Sequence, residues 1–300
     1  MSEPLLSVVI PVTRMAGKLG NLKQTLVAAA DEEVLVILVH DIADSETSNQ
    51  LIKVASEIPH LKFVLKENHF GNPGDARNAG LKFVSGGWFA FWDSDDLPNV
   101  REFSSMVSKA NEEGADVAIG GIETCYFGSE KDIREFPAFS VDSRNSTFNL
   151  AQMPAFTRMA FRNFDLRSVN FPPLSMGEDL VFLARSKFLD RKIYVHSKSV
   201  YLYILNFPGQ LTSNSSKLKQ VSEIWKYLYE ECKKTAGIMQ SYLSFQIIRN
   251  LLVVLKTSHR LPLPAVGWSL LTFFKNPNLT LAIILHILKN QNLLERKKEH

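Results

Sequence analysis

The sequence predicts an α/β fold: a doubly wound, mostly parallel sheet followed by a helical C-terminal region. Three observations carry that prediction. Apolar, β-branched runs alternate with segments of helical apolar spacing through the first hundred residues. Those runs end in short polar or acidic loops, as strands do at the edge of an open sheet. From about Ser215 the pattern becomes helical throughout.

Residues 5–12 (LLSVVIPV) read as a buried first strand closed by Pro11, and residues 20–30 have helical spacing. Residues 34–39 (VLVILV) are a second buried strand that runs into His40-Asp41-Ile42-Ala43-Asp44-Ser45. A helix over 51–58 is closed by Pro59, and a short strand follows at 61–65. Gly71-Asn72-Pro73-Gly74 form a loop; Asp75 is expected to cap a helix over 76–84, with Arg77 in its first turn. Residues 88–92 (WFAFW) suit a central strand packed on both faces. A helix over 100–113 and a strand over 115–121 follow, and residues 126–149 read as an irregular insertion or a hairpin. Arg158 and Arg162 have the spacing of one solvated helix face. A helix runs on from Leu180, and a strand over 192–205 leads into a polar loop, 206–214, suited to close over a site.

The chemistry gathers at loop positions. Asp93-Ser94-Asp95-Asp96 place three carboxylates in four residues directly after the central strand, where they repel one another and resist burial. Either they hold a divalent cation and a diphosphate, or they form an ordinary Asp/Ser turn. Asp41, Asp44 and Arg77 are each unremarkable singly, as turn or helix residues. In a parallel sheet, however, they fall on the same edge, where an acid can accept from a ribose hydroxyl or base N–H and a guanidinium can hold phosphate or stack on a base. Glu178 and Asp179 begin a helix, where the dipole favours anions. They are either a stabilising pair there or a general base opposite the metal site.

The bulk numbers exclude several classes. The chain has 300 residues, 45% hydrophobic and 22% charged, with a formal net charge of +3, too weak a balance to argue for nucleic acid. Cys125 and Cys232 lie far apart, without metal-binding spacing, and fit a reducing compartment or two buried thiols. The opening MSEPLLSVVIPV is not expected to be a signal peptide. No run of about 20 uninterrupted apolar residues predicts a membrane-spanning helix.

Several pieces occur in the order found in glycosyltransferase family 2, the inverting enzymes of the GT-A fold, which the sequence resembles over about residues 5–214. SVVIPV at 7–12 resembles the opening strand, and LVHDIADSET at 38–47 sits where the family has a strand ending in Asp-Asp-Gly-Ser. NPGDARNAGL at 72–81 is similar to the Ala-Arg-Asn-x-Gly segment, and FWDSDDLP at 91–98 looks like the DxD motif. GEDLVFLAR at 177–185 resembles the Glu-Asp motif that carries the base, and YILNFPGQLT at 203–212 resembles the closing loop. Thr13-Arg14 stand in place of the usual aromatic-Asn pair, His40 replaces the first acid of the second loop, and Ile42-Ala43 replace Gly-Ser. These departures bear on which base is bound rather than on the reaction.

The resemblance implies a nucleotide-diphosphate sugar donor and a saccharide or lipid-linked acceptor, in bacterial surface polysaccharide or glycolipid assembly. It implies Mn²⁺ or Mg²⁺ on Asp95 and Asp93. Pro11, Asp41, Arg77, Asp93 and Ser94 would line the nucleotide diphosphate. Asp179 would be the base, with Glu178 beside it. Two rivals remain. A sugar nucleotidylyltransferase would want a glycine-rich phosphate loop, for which Gly17 and Gly20 are too sparse. A non-catalytic nucleotide-sugar-binding protein leaves the acids unexplained.

The expected division is a catalytic domain over 1–214 and a helical region over 215–300. In the latter, 247–255, 262–274 and 279–288 are apolar but too short to span a bilayer, broken by Pro262, Pro264 and Pro277 and followed by a basic tail. This region is expected either to pack on the catalytic domain or a second subunit, or to dock peripherally on an anionic membrane through Trp268, Phe273 and Phe274. The expected location is cytoplasmic, at the inner face of the plasma membrane.

Overall fold

The computed structural model describes residues 5–15, 19–32, 34–42, 45–136, 138, 155–163, 168–208 and 218–258. In chain order the elements are β1 (Leu6–Val12), α1 (Gly20–Asp31), β2 (Leu35–Asp41), α2 (Ser45–Ser56), β3 (Lys62–Asn68), α3 (Pro73–Leu81), β4 (Trp88–Phe91), β5 (Leu97–Pro98) and α4 (Val100–Glu112). Then come β6 (Val117–Tyr126), β7 (Ser129–Phe136), β8 (Met159–Arg162), α5 (Glu178–Ser186), β9 (Ile193–Leu205), α6 (Leu218–Lys233) and α7 (Gly237–Ser258).

The strands form one sheet in the order β3-β2-β1-β4-β8-β6-β9-β5, with β7 added beside β6. The first four are mutually parallel. β8 runs antiparallel between β4 and β6, and β6 and β9 are parallel. Alternation along the strands builds two cores. Val8, Ile10, Trp88, Ala90 and Trp92 face one side, with α1, α2 and α4; Val9, Ile37, Phe89 and Phe91 face the other, with α3, α5, α6 and α7. Helix α3 lies close on β1 because residue 80 is glycine: a Cβ there would come within 2.4 Å of Val9.

Several boundaries differ from expectation. α2 begins at Ser45 rather than 51, because its first turns are polar and show no apolar period. Buried Thr47 anchors them by accepting from the Met15 N–H at 3.1 Å. α3 is capped by Asn72, whose side chain accepts from the Asp75 N–H at 2.8 Å, so Asp75 sits inside the first turn. Arg158 and Arg162 are not on a helix face. Arg158 ends a single 3-10 turn and is buried, and Arg162 lies on β8, with its guanidinium 5.0 Å from the Trp88 ring centroid. Residues 126–136 complete a β6–β7 hairpin.

α6 and α7 share the core on one face of the sheet. Ile224, Leu228, Met239 and Leu243 belong to the same cluster as Phe91, Val181 and Phe182. Among the described residues no helix is long and apolar enough to cross a membrane. Asp44, the expected closing loop from residue 209 on, the apolar segments over 262–288 with Trp268, Phe273 and Phe274, and the basic tail lie outside the described residues.

Candidate active site

The chain order reverses between β1 and β4: β2 and β3 lie to one side of β1, and β4 lies to the other. In open α/β sheets the crevice at such a point, outside the C-terminal ends of the strands, is where ligands bind. Pro11 stands near the end of β1, half-buried, in register with Val39. Asp41 ends β2. Its Oδ1 accepts from the Phe70 N–H at 2.8 Å and its Oδ2 from the Gly71 N–H at 3.2 Å, so it organises the loop after β3. His40 is buried, with Nδ1 3.0 Å from Glu67 Oε1 and 3.1 Å from Ser48 Oγ. The hydrogen bond to His40 holds the Glu67 carboxyl below its ordinary range. A histidine where the family has an acid is thus absorbed by a local polar cluster.

The acidic tip after β4 does not behave as three equivalent carboxylates. Asp93, Ser94 and Asp95 are half-buried at the tip, whereas Asp96 is 1% exposed and points into the fold. There it accepts from the Tyr201 hydroxyl at 3.0 Å and the Ile204 N–H at 2.9 Å. Burial pushes its carboxyl well above the ordinary range, and the charges of Asp93 and Asp95 push it further. The carbonyl oxygen of Asp95 accepts from Asn21 Nδ2 at 2.9 Å.

Arg77 joins this tip to the second acidic cluster. It is 4% exposed; Nη2 donates to Asp93 Oδ1 at 2.8 Å and Nη1 donates to Glu178 Oε1 at 2.5 Å. Its guanidinium carbon lies 4.9 Å and 5.7 Å from the ring centroids of Phe156 and Phe171. Two carboxylates separated by most of a hundred residues of chain are thereby brought to one cation. Expected at the phosphate, Arg77 has both terminal nitrogens committed to protein carboxylates.

Glu178 and Asp179 occupy the first turn of α5. Burial is the largest influence on Glu178 and raises it to about 7, against the opposing pull of Arg77. Burial also raises Asp179 above the ordinary range, opposed by the Leu180 N–H and the Arg77 charge and aided by Asp93. Asp179 is half-buried; its carboxyl accepts from the Leu180 N–H and has no side-chain hydrogen-bond partner among the described residues.

Gly177 sets this turn. Its φ is +78°, and a Cβ there would stand 2.2 Å from Ile224 Cδ1 of α6. Gly177→Ala should lose about 1–2 kcal/mol to left-handed strain and about 1–3 kcal/mol to overpacking. Urea denaturation measures the loss. Adding Ile224→Ala should fail to rescue the strain part but relieve the packing part; an unchanged single variant would contradict this account.

The side chains present fit one kind of divalent-cation site and not another. No group of three or more metal-binding His, Cys, Asp or Glu side chains occurs among the described residues. An all-protein cage therefore does not fit. A Mg²⁺ or Mn²⁺ held by one or two carboxylates and completed by phosphate oxygens does fit. Asp95 would supply one ligand, and Asp93, 32% exposed, has Oδ2 outside the Arg77 contact.

Sequence reasoning missed Tyr201, Asn21, Phe156 and Phe171. Tyr201 and Phe156 look like ordinary core aromatics, and no motif marks any of the four.

Residues 7–169 match the model of a family described as Glycosyl transferase family 2. ExoO of Rhizobium meliloti, a succinoglycan biosynthesis protein, is 27% identical over 192 residues, 59% of this chain and 54% of that protein. The GalNAc(5)-diNAcBac-PP-undecaprenol β-1,3-glucosyltransferase of Campylobacter jejuni is 25% identical over 219 residues, covering 71% of this chain and 69% of that protein. The chain thus spans about half the length of ExoO, and 30% of Streptococcus pneumoniae GlyA. S. aureus TarS 1-349, solved with UDP-GlcNAc, superposes with a TM-score of 0.61 at 20% identity, covering 84% of this chain and 73% of that one. The Pyrobaculum calidifontis mannosyltransferase PcManGT, solved with GDP-Man and Mn²⁺, gives 0.55 at 14% identity, covering 96% and 87%. These likenesses show the fold, the GT-A arrangement.

Proposed function

Because the chain belongs to glycosyl transferase family 2, we propose that it is an inverting transferase. It moves a sugar from a nucleotide-diphosphate donor to an acceptor hydroxyl in the assembly of surface polysaccharide or glycolipid. What carries this reading is the Arg77 bridge: one buried cation ties the acidic tip to Glu178 and leaves neighbouring Asp179 without a side-chain partner among the described residues.

Asp179 takes the acceptor proton as the hydroxyl oxygen bonds to the anomeric carbon and the bond from that carbon to the diphosphate oxygen breaks. One displacement inverts the centre and needs no covalent intermediate. Glu178, held by Arg77, orients the start of α5 rather than accepting the proton. Pro11, Asp41 and Ser94 line the nucleotide side of the crevice, and Asp95 and Asp93 form its diphosphate end. When bound there, Mn²⁺ or Mg²⁺ supplies a Lewis acid that offsets charge developing on the leaving group.

The acceptor is a saccharide or lipid-linked hydroxyl, reached from the cytoplasmic side of the membrane. Helices α6 and α7 support the start of α5, where Ile224 stands against Gly177.

The test is Asp95→Ala in calorimetric titrations with UDP and GDP, with and without Mn²⁺, alongside sugar transfer from nucleotide sugars. Wild type should bind nucleoside diphosphate only with the cation present, and the variant should lose both binding and transfer. Equal, cation-independent binding by both proteins would remove the metal-assisted reading.

A further inference from the structure

We propose that Tyr201 is a positioning residue for the acidic tip, acting through the backbone of Asp93, with buried Asp96 as its anchor. This rests on reading the tip as the diphosphate end of the site. The pairing of β4 with β1 runs out at Trp92, whose N–H still reaches the Val9 carbonyl at 3.1 Å. The next N–H, that of Asp93, therefore has no strand partner, at the point where the direction of a candidate ligand must be fixed. It donates to the Tyr201 hydroxyl at 3.0 Å, which in turn donates to Asp96 Oδ2 at 3.0 Å. Asp96 Oδ1 is held by the Ile204 N–H at 2.9 Å.

Both members of this relay are 1% exposed. Burying a carboxylate and a phenol is unfavourable unless hydrogen bonds compensate. The ring alone could be supplied by phenylalanine, so the hydroxyl is the part left to explain. The tip is further fixed to β9 by Leu97 and Pro98, which pair with Leu202 and Tyr201, and by the Asn99 N–H on the Val200 carbonyl at 3.0 Å. Arg77 sets one carboxylate oxygen of Asp93 from the opposite side. Backbone and side chain of Asp93 are thus fixed independently, and its remaining oxygen takes one direction.

Tyr201→Phe is the direct test, with affinities for UDP and GDP in the presence of Mn²⁺ measured by calorimetry. Affinity for the nucleoside diphosphate that wild type binds should fall about tenfold, as expected for a buried N–H left without its acceptor. Binding of the corresponding nucleoside without phosphates, followed by NMR, should change far less, because it lacks the diphosphate that Asp93 and Asp95 are read as holding. Asp96→Asn keeps the volume and an acceptor for Ile204 but removes the acceptor for the tyrosine proton. It should show the same selective loss, and it serves as the test if the phenylalanine variant does not fold. Unchanged diphosphate affinity in a folded variant overturns the proposal, as does an equal loss for nucleoside and diphosphate. No cation-dependent binding of either diphosphate by wild type would instead overturn the underlying reading of the tip.

Discussion

Asp179→Asn should lower sugar transfer about 10²–10⁴-fold, the usual contribution of a positioned general base, while donor affinity holds. The amide keeps the size of the carboxyl and can still accept from the Leu180 N–H, but it cannot take the acceptor proton. It also removes a negative charge that interacts unfavourably with Asp93, so an anionic donor should bind no worse. The pH profile gives a second signature. Asp179 must be ionised to act, and burial holds its carboxyl above the ordinary range. Wild-type transfer should therefore fall with decreasing pH at a higher pH than an exposed aspartate would give, and the residual activity of the variant should lack that limb. Glu178→Gln separates the neighbours, because it weakens the Arg77 link without touching the proton acceptor. Transfer to a supplied acceptor and donor binding, measured for both variants, decide the matter. Full transfer by Asp179→Asn would end this assignment of the base.

Arg77→Leu should be the most destabilising single change in the site. Removing one partner of a buried ion pair costs about 3–5 kcal/mol, because the other charge stays behind uncompensated. The larger part falls on Glu178, whose side chain is 9% exposed, since Asp93 at 32% is partly hydrated. The loss should also depend on pH. Glu178 is already raised to about 7 with Arg77 present, and without the cation its folded-state value moves further above its unfolded one. The folded state then keeps a proton that the unfolded state releases, so stability falls as pH rises through that window. Urea denaturation should show a smaller deficit for the variant at pH 5 than at pH 8. Arg77→Lys should recover little, because one ammonium on a flexible stem does not reproduce a fork bonded to two carboxylates. A pH-independent deficit under 1 kcal/mol would mean that the bridge contributes nothing to folding.

The strands with dense apolar runs were readable from sequence, because burial on both faces leaves no polar alternation to confuse them. β1, β2 and β4 fall within two residues of their expected limits; so does β9, which is exposed at Ser197 and Lys198 but rich in β-branched and aromatic residues. Sequence reading failed where side chains outside the local segment decide the structure. The first turns of α2 depend on a contact from Thr47 to the Met15 backbone, and Arg162 belongs to a strand flanked by β4 and β6, with Arg158 in the 3-10 turn before it. At the site, composition exposed both acidic clusters and Arg77, but not their relations. Nothing local distinguishes Asp96, turned inward, from Asp93, turned outward. That difference is made by Tyr201 and Ile204, which no motif connects to the tip. The helix cap is Asn72 rather than Asp75 because Pro73 begins the helix, and proline at the first helical position is itself a start signal.

The anchors of the acidic tip also impose an order in time. Tyr201 and Ile204 follow Asp96 by 105 and 108 residues, and both lie beyond the 7–169 stretch that carries the family signature. At about 5–20 residues per second, β1 to β4 emerge from the ribosome several seconds before the strand that fixes Asp96. Throughout that interval the hydrogen-bond partners that bury Asp96 do not yet exist. The loops after β1 and β2 can therefore form early, whereas the anchored acidic tip forms late. On the proposed reading of the tip, a chain ended before residue 201 should bind nucleoside diphosphate poorly, because it lacks both anchors of Asp96.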